Sequence, residues 1–400
     1  MDLSKYKDKG KVGLENLGNT CFLNACMQVL SNTYELNHFL DSNKYERNLK
    51  KDLPDTNILS EWNDLRNVMW SGNGVITPNK FVYNIHKIAE IKNKDIFTGW
   101  VQNDMPEFLL FFIECVHNSI SRGVNIRISG NTENKVDKMA VACYGMLKET
   151  YSKEYSEIMD LFYGIYISEI SSRDVARKSD DDGTYGAAEP YVSSSADNPL
   201  RGLSKDDLGF APPGGFAKPS FEGDKCHSMK PEPFFILDLP VWDISRSMPV
   251  NKLEECFELY CKPEYLEGDN AWYNEETKQK ENVKKQITFW NFPKVLVIVL
   301  KRFSPDGQQK LNSMLEMPID NLDLSKYVRG YNPQSYKYDL YGICNHIGGV
   351  LGGHYTAFVR NSENQWLHYN DSNVEIVPPG TNVVTPAAYC LFYRKKNNLV

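Results

Sequence analysis

The segment GLENLGNTCFLNACMQVL, residues 13–30, places Cys21 at the start of a stretch with helical apolar spacing. Phe22, Ala25, Cys26, Val29 and Leu30 supply that spacing. Gly18, Asn19 and Thr20 form the loop before it, and Asn19 or Thr20 can cap the helix. A helix N-terminus carries partial positive charge and unpaired N–H groups. Both favour thiolate, so a lowered pKa is expected for Cys21. The same N–H groups could hold an oxyanion, and the amide of Asn16 could add a donor. A cysteine at a helix start is more often a small buried residue. Nucleophilic chemistry also requires a base and a group that orients it.

Seven histidines compete for the base. His38, His86 and His117 lie in the helical part, and His227 and His346 have no obvious companion. His354 differs, because it follows GGVLGG and opens the strand-like HYTAFVR. A hairpin would lay the later WLHYND beside it, so that Asn370 or Asp371 reaches the imidazole. Such a partner fixes the tautomer and leaves the other ring nitrogen for the thiol. The order Cys, His, Asn/Asp is that of papain-like hydrolases.

These groups need elements to hold them. A second helix is expected from Asp104, which has capping-box spacing to Glu107, with Pro106 in the first turn. A third is expected over 136–150. Strands are expected at 161–170, 234–241, 287–290, 295–303, 336–348, 354–360, 366–370 and 389–394, where aromatic and β-branched residues concentrate. Helices followed by strands mean α+β. The stretch 171–224 is dominated by Gly, Pro, Ser and Asp and reads as a largely disordered insertion.

The chain has 400 residues, 41% of them hydrophobic, so a core of ordinary size is expected. Its formal net charge of −7 argues against a dedicated nucleic-acid binder. Nine scattered cysteines do not form a secreted disulfide framework. The N-terminus lacks a signal-peptide pattern, and FLLFFI and VLVIVL are too short to span a bilayer. The expectation is an intracellular protein, cytoplasmic or nuclear, with reduced thiols, no membrane partner and a monomeric state.

GLENLGNTCFLNACMQVL resembles the cysteine box of the ubiquitin-specific proteases, and GGVLGGHYTAFVRNSENQWLHYNDSNVEIV resembles their histidine box. VQNDMPEFL at 101–109, FPKVLVIVLKRF at 292–303 and AAYCLFYRKK at 387–396 are similar to three further family segments in the same order. The resemblance runs from about Gly13 to Lys396. It implies a papain-like catalytic domain over 13–396, with a helical thumb at about 13–155 and fingers and palm at about 156–396. It also implies hydrolysis of the bond after the C-terminal Gly-Gly of ubiquitin, with ubiquitin and ubiquitinated proteins as partners. Residue by residue it assigns Cys21 as nucleophile, His354 as base and Asn16 to the oxyanion hole. Asn370 takes the orienting position with Asp371 in support, although these two could exchange roles.

Many family members carry zinc on two Cys-x-x-Cys pairs, and this chain has none. Cys226, His227, Cys256 and Cys261 lack zinc-ribbon spacing, so neither a metal nor another cofactor is expected. Residues 257–286 are either part of the ubiquitin-facing fingers or a solvated surface. Two alternatives stand beside the protease reading. One is an isopeptidase for a ubiquitin-like modifier; the other is a ubiquitin-binding module without turnover.

Overall fold

The computed structural model describes residues 3–172, 226–304, 308–350 and 352–396. Its helices are α1 (Cys21–Ser31), α2 (Tyr34–Asp41), α3 (Asp55–Met69), α4 (Asn79–Ile91), α5 (Met105–Ile120), α6 (Lys135–Lys153), α7 (Glu157–Phe162) and α8 (Leu253–Tyr260). The strands begin with β1 (Val12–Leu14), β2 (Gly74–Ile76), β3 (Gly164–Ser172), β4 (Cys226–Phe234), β5 (Ile236–Pro240), β6 (Trp242–Asp243), β7 (Met248–Pro249), β8 (Glu264–Leu266), β9 (Trp272–Asn274) and β10 (Gln279–Glu281). They continue with β11 (Val283–Asn291), β12 (Val295–Lys301), β13 (Leu322–Asp323), β14 (Lys337–Gly349), β15 (Gly352–Arg360), β16 (Trp366–Asn370), β17 (Asn373–Ile376) and β18 (Ala388–Lys395).

The long sheet runs β17-β16-β15-β14-β18-β12-β5, with β13 beside β14. Its pairs are antiparallel except β12 with β5. A second sheet, β4-β3-β11-β8, is antiparallel throughout. β12 explains why VLVIVL is apolar without alternation. Val295, Val297 and Val299 enter the core shared with the N-terminal helices, while Leu296, Ile298 and Leu300 enter the core on the other face, with α8. A strand covered on both faces needs no polar side. A third core joins α6 to the second sheet through Cys143, Leu147, Ile167 and Trp290.

α1 is buried along its whole length. It packs against α5 on one side and β14–β16 on the other. Its polar residues tie it to the N-terminal strand: the Gln28 amide donates to the Val12 carbonyl at 2.7 Å. Asp104 caps α5 as expected, accepting from Glu107 N at 3.4 Å with Pro106 in the first turn. Thr20 makes no side-chain cap to α1. Its hydroxyl instead accepts from Leu17 N, tightening the preceding loop.

Two strand expectations need correction. Leu161 and Phe162 close α7, and β3 begins only at Gly164, because both side chains point into the helical core. The expected insertion lies outside the described residues apart from Ser171 and Ser172, which complete β3 in register with β11. Helices α2, α3, α4 and α8 had no specific sequence expectation. Residues 257–260, grouped with a strand-and-loop surface, finish α8, whose Phe257 is fully buried.

Arg302 of the LKRF segment is structural. It is fully buried, and its guanidinium donates to the carbonyls of Ala388, Leu311 and Ser313 at 2.6, 2.9 and 2.9 Å. Burial pulls its pKa down to about 10. A methionine there would fill similar space but leave those carbonyls without donors. Each buried orphan costs about 1–3 kcal/mol. Arg302→Met should therefore lose about 3 kcal/mol or more of unfolding free energy. A urea midpoint equal to wild type would refute this.

Candidate active site

The site forms where the first strand meets the last hairpin. β16 and β17 are joined by Asp371 and Ser372, and Asp371 takes a left-handed φ of 50°. β1 lies directly on this turn. Leu14 N donates to the Asp371 carbonyl at 2.9 Å. A Cβ on Gly13 would stand 2.2 Å from the Ser372 carbonyl oxygen, so only glycine permits the approach.

That contact delivers the loop before Cys21 to the Asp371 carboxylate. Asn16 Nδ2 donates to Asp371 Oδ2 at 3.0 Å, across 355 residues of chain. Asn24 Nδ2, one turn into α1, donates to Asp371 Oδ1 at 2.8 Å. The other end of the Asn16 amide closes the loop: its Oδ1 accepts from Gly18 N at 3.0 Å and Thr20 N at 3.1 Å. The left-handed φ values of Gly18 and Asn19, 112° and 56°, let the backbone turn toward it.

His354 stands in β15, antiparallel to β16 as the hairpin reading expected. Its Nε2 lies 2.6 Å from Asn370 Oδ1 and 4.0 Å from Asp371 Oδ2. With Asn370 Oδ1 accepting, Nε2 carries the proton and Nδ1 holds the free lone pair. Cys21 is only 3% exposed, and its thiol meets the backbone amide of Tyr355, the residue after His354. The five expected residues are thus gathered by three elements: the β1–α1 loop, β15 and the β16–β17 turn.

One expectation is overturned. Burial pushes the Cys21 thiol up from the ordinary cysteine range, against the pull of the Tyr355 amide, and the Asp371 carboxylate pushes it up further. A helix end contributes about 0.3–1 kcal/mol. In this closed site desolvation of the thiolate exceeds it.

Two residues not singled out from the sequence belong to the network. Asn24 is a buried amide three positions after Cys21, on the same helix, and that placement was the available signal. Gln102 stands in VQNDMPEFL, and its Oε1 accepts from Gly353 N at 2.8 Å. Its exposed position offered no signal of burial. Cys226 is exposed on β4 and Cys256 is buried in α8. Among the described residues no group of three or more His, Cys, Asp or Glu side chains could hold a metal ion. Among them, too, no helix is long and apolar enough to cross a membrane.

Comparison with known proteins places the chain in a family. The chain is 31% identical over 393 residues to ubiquitin carboxyl-terminal hydrolase 2 of Bos taurus, covering 96% of this chain and 55% of that protein. It is 30% identical to ubiquitin carboxyl-terminal hydrolase Usp2 of Drosophila melanogaster, covering 97% of this chain and 35% of that one. The chain therefore spans about half the length, or less, of these curated relatives. In fold it matches a solved chain of the SAGA Ubp8/Sgf11/Sus1/Sgf73 DUB module bound to ubiquitin aldehyde. That match has a TM-score of 0.64 and 22% identity, and covers 99% of this chain and 72% of that chain. The family model described as ubiquitin carboxyl-terminal hydrolase matches residues 12–393, and the chain belongs to that family.

Proposed function

We propose that this chain is a cysteine-type deubiquitinase that hydrolyses the bond after the C-terminal Gly-Gly of ubiquitin in ubiquitinated proteins. The observation that carries the reading is the Asp371–Asn370 turn. It joins the loop of Cys21 to the imidazole of His354 through side-chain hydrogen bonds. In lobe terms, residues from about 13 to 155 act as thumb, and fingers and palm share the remainder to about 396.

The roles follow from donors and acceptors. Asn370 holds the His354 Nε2 proton, so Nδ1 is the base. The raised thiol of Cys21 favours its protonated form before reaction, and the proton passes to His354 Nδ1 as the thiolate forms. The thiolate adds to the terminal glycine carbonyl. Asn16 Nδ2 has two hydrogens; one is held by Asp371, which leaves the other for the oxyanion. The amine leaves with the proton from His354, giving a thioester. Water, deprotonated by His354, then releases the ubiquitin carboxylate and restores the thiol. On this reading the roles of the neighbours separate: Asn370 orients the base, and Asp371 orients Asn16 and Asn24.

The first test is release of a fluorophore from the C-terminus of ubiquitin. Wild type should turn over, and Cys21→Ala should abolish the signal. Turnover surviving in Cys21→Ala sinks the assignment, and binding without turnover in wild type favours the non-catalytic module. The division of roles has its own signature in kcat. Asn370→Ala should lose about 10²-fold or more. Asp371→Ala should lose about 10²-fold alone but add little to Asn16→Ala, because both act through one donor. Full additivity of Asn16→Ala and Asp371→Ala would contradict the shared role. In the free chain, the raised thiol means that thiolate appears only at higher pH. Iodoacetamide labelling of Cys21, followed on its peptide by mass, should keep accelerating above about pH 8.5, the ordinary cysteine value. A plateau near neutrality would show a preformed ion pair instead.

A further inference from the structure

Gly352 and Gly353 precede His354, and glycines at such a place leave the backbone open to close approach. The structure points to a more specific constraint. Gly353 N donates to Gln102 Oε1 at 2.8 Å. A Cβ on Gly352 would stand 2.3 Å from that same oxygen, and Gly352 has a left-handed φ of 149°. A Cβ on Gly353 would stand 2.4 Å from His346 Nε2 and 2.4 Å from the Ile347 carbonyl. The two glycines thus lie between the Gln102 amide on one side and His346 on the other. No other residue type would let both neighbours approach this closely.

Gln102 is exposed, and an exposed glutamine is usually free to rotate. This one belongs to a short segment tied down at both ends. Asn19 Nδ2, in the loop before Cys21, donates to the Trp100 carbonyl at 2.8 Å. Tyr389 of β18 donates its hydroxyl to Asp104 Oδ2 at 2.7 Å, and Met105 N donates to the Tyr355 hydroxyl at 3.4 Å. Residues 100–105 therefore run from the loop of the nucleophile to the strand of the base, and Gln102 is the contact that reaches the backbone next to His354. Asn370 fixes the imidazole only from its Nε2 side. The position of the backbone that carries the ring needs a separate restraint.

We propose that Gln102 is a positioning residue for the reaction: by accepting from Gly353 N it sets the start of β15 and hence where Nδ1 of His354 stands relative to Cys21. The inference rests on the deubiquitinase reading. It assigns Gln102 to the approach of base and nucleophile, with no part in holding ubiquitin.

The test compares Gln102→Leu and Gln102→Ala, which lose the accepting oxygen, with Gln102→Glu, which keeps it. Each is assayed for release of a fluorophore from the ubiquitin C-terminus, and thermal midpoints are recorded alongside. Misplacement of a reacting group by a fraction of an ångström to an ångström costs roughly 10- to 100-fold. The first two variants should lose kcat by that factor with KM within about twofold of wild type, because positioning is realised in the chemical step. Gln102→Glu should recover most of the loss. Equal kcat in wild type, Gln102→Leu and Gln102→Ala overturns the proposal while leaving the deubiquitinase reading intact. A loss confined to KM, or one that Gln102→Glu does not recover while the fold stays stable, also overturns it. A silent wild type overturns the deubiquitinase reading itself, and the positioning role with it.

Discussion

The site depends on one contact between the two ends of the chain: β1 lying on the Asp371–Ser372 turn. Everything reactive is referred to that turn. Asp371 takes both Asn16 and Asn24 on its carboxylate, and Asn370 beside it takes the imidazole of His354. A carboxylate holding two neutral amides forms charge-assisted hydrogen bonds, which are the stronger kind. Such bonds keep their geometry where a lone amide would exchange partners with water. The absence of a side chain at Gly13 is a condition for this, since a single methyl group would part β1 from the turn.

The buried position of Cys21 follows from the same arrangement. A helix start that presents N–H groups to a reacting carbonyl must lie at the bottom of the site, walled by β15. The cost is desolvation of the thiolate, and the ordinary benefit of a helix end is too small to offset it. The consequence is a thiol held above the ordinary cysteine range. On the proposed mechanism, charge develops only during the reaction, and the free hydrogen of the Asn16 amide is available to meet it.

Other sequence features that look catalytic carry load of another kind. Arg302 is a buried clamp on three carbonyls of the long sheet and its neighbouring loop. Asp104 caps α5 and receives Tyr389, so it joins that helix to β18. These polar groups are inside because the chain turns sharply there and leaves backbone groups unpaired. They keep the two halves of the site in register without touching its chemistry.

The α+β character, strands β11, β12, β14, β15, β16 and β18 and helix α1 were legible in the sequence, because each is a local pattern of apolar spacing, whereas the short β13 and β17 were not. So were the five candidate residues, through the two boxes and the order in which they occur. The β15–β16 hairpin was legible too, since sixteen residues separate His354 from Asn370 and both runs favour strands. Leu161 and Phe162 were misread because aromatic residues suit a buried helix turn as well as a strand. Tertiary structure alone separated the contacts of Asn370 and Asp371, one on His354 and the other on Asn16 and Asn24. Adjacent residues leaving a strand point in different directions, and only the left-handed φ of Asp371 turns its carboxylate to Asn16. It alone set the direction in which the Cys21 thiol is shifted, because desolvation depends on what covers a thiol and no spacing rule reports that. It alone brought Gln102 to Gly353, across 251 residues, since a hydrogen bond between distant segments leaves no periodicity in either of them.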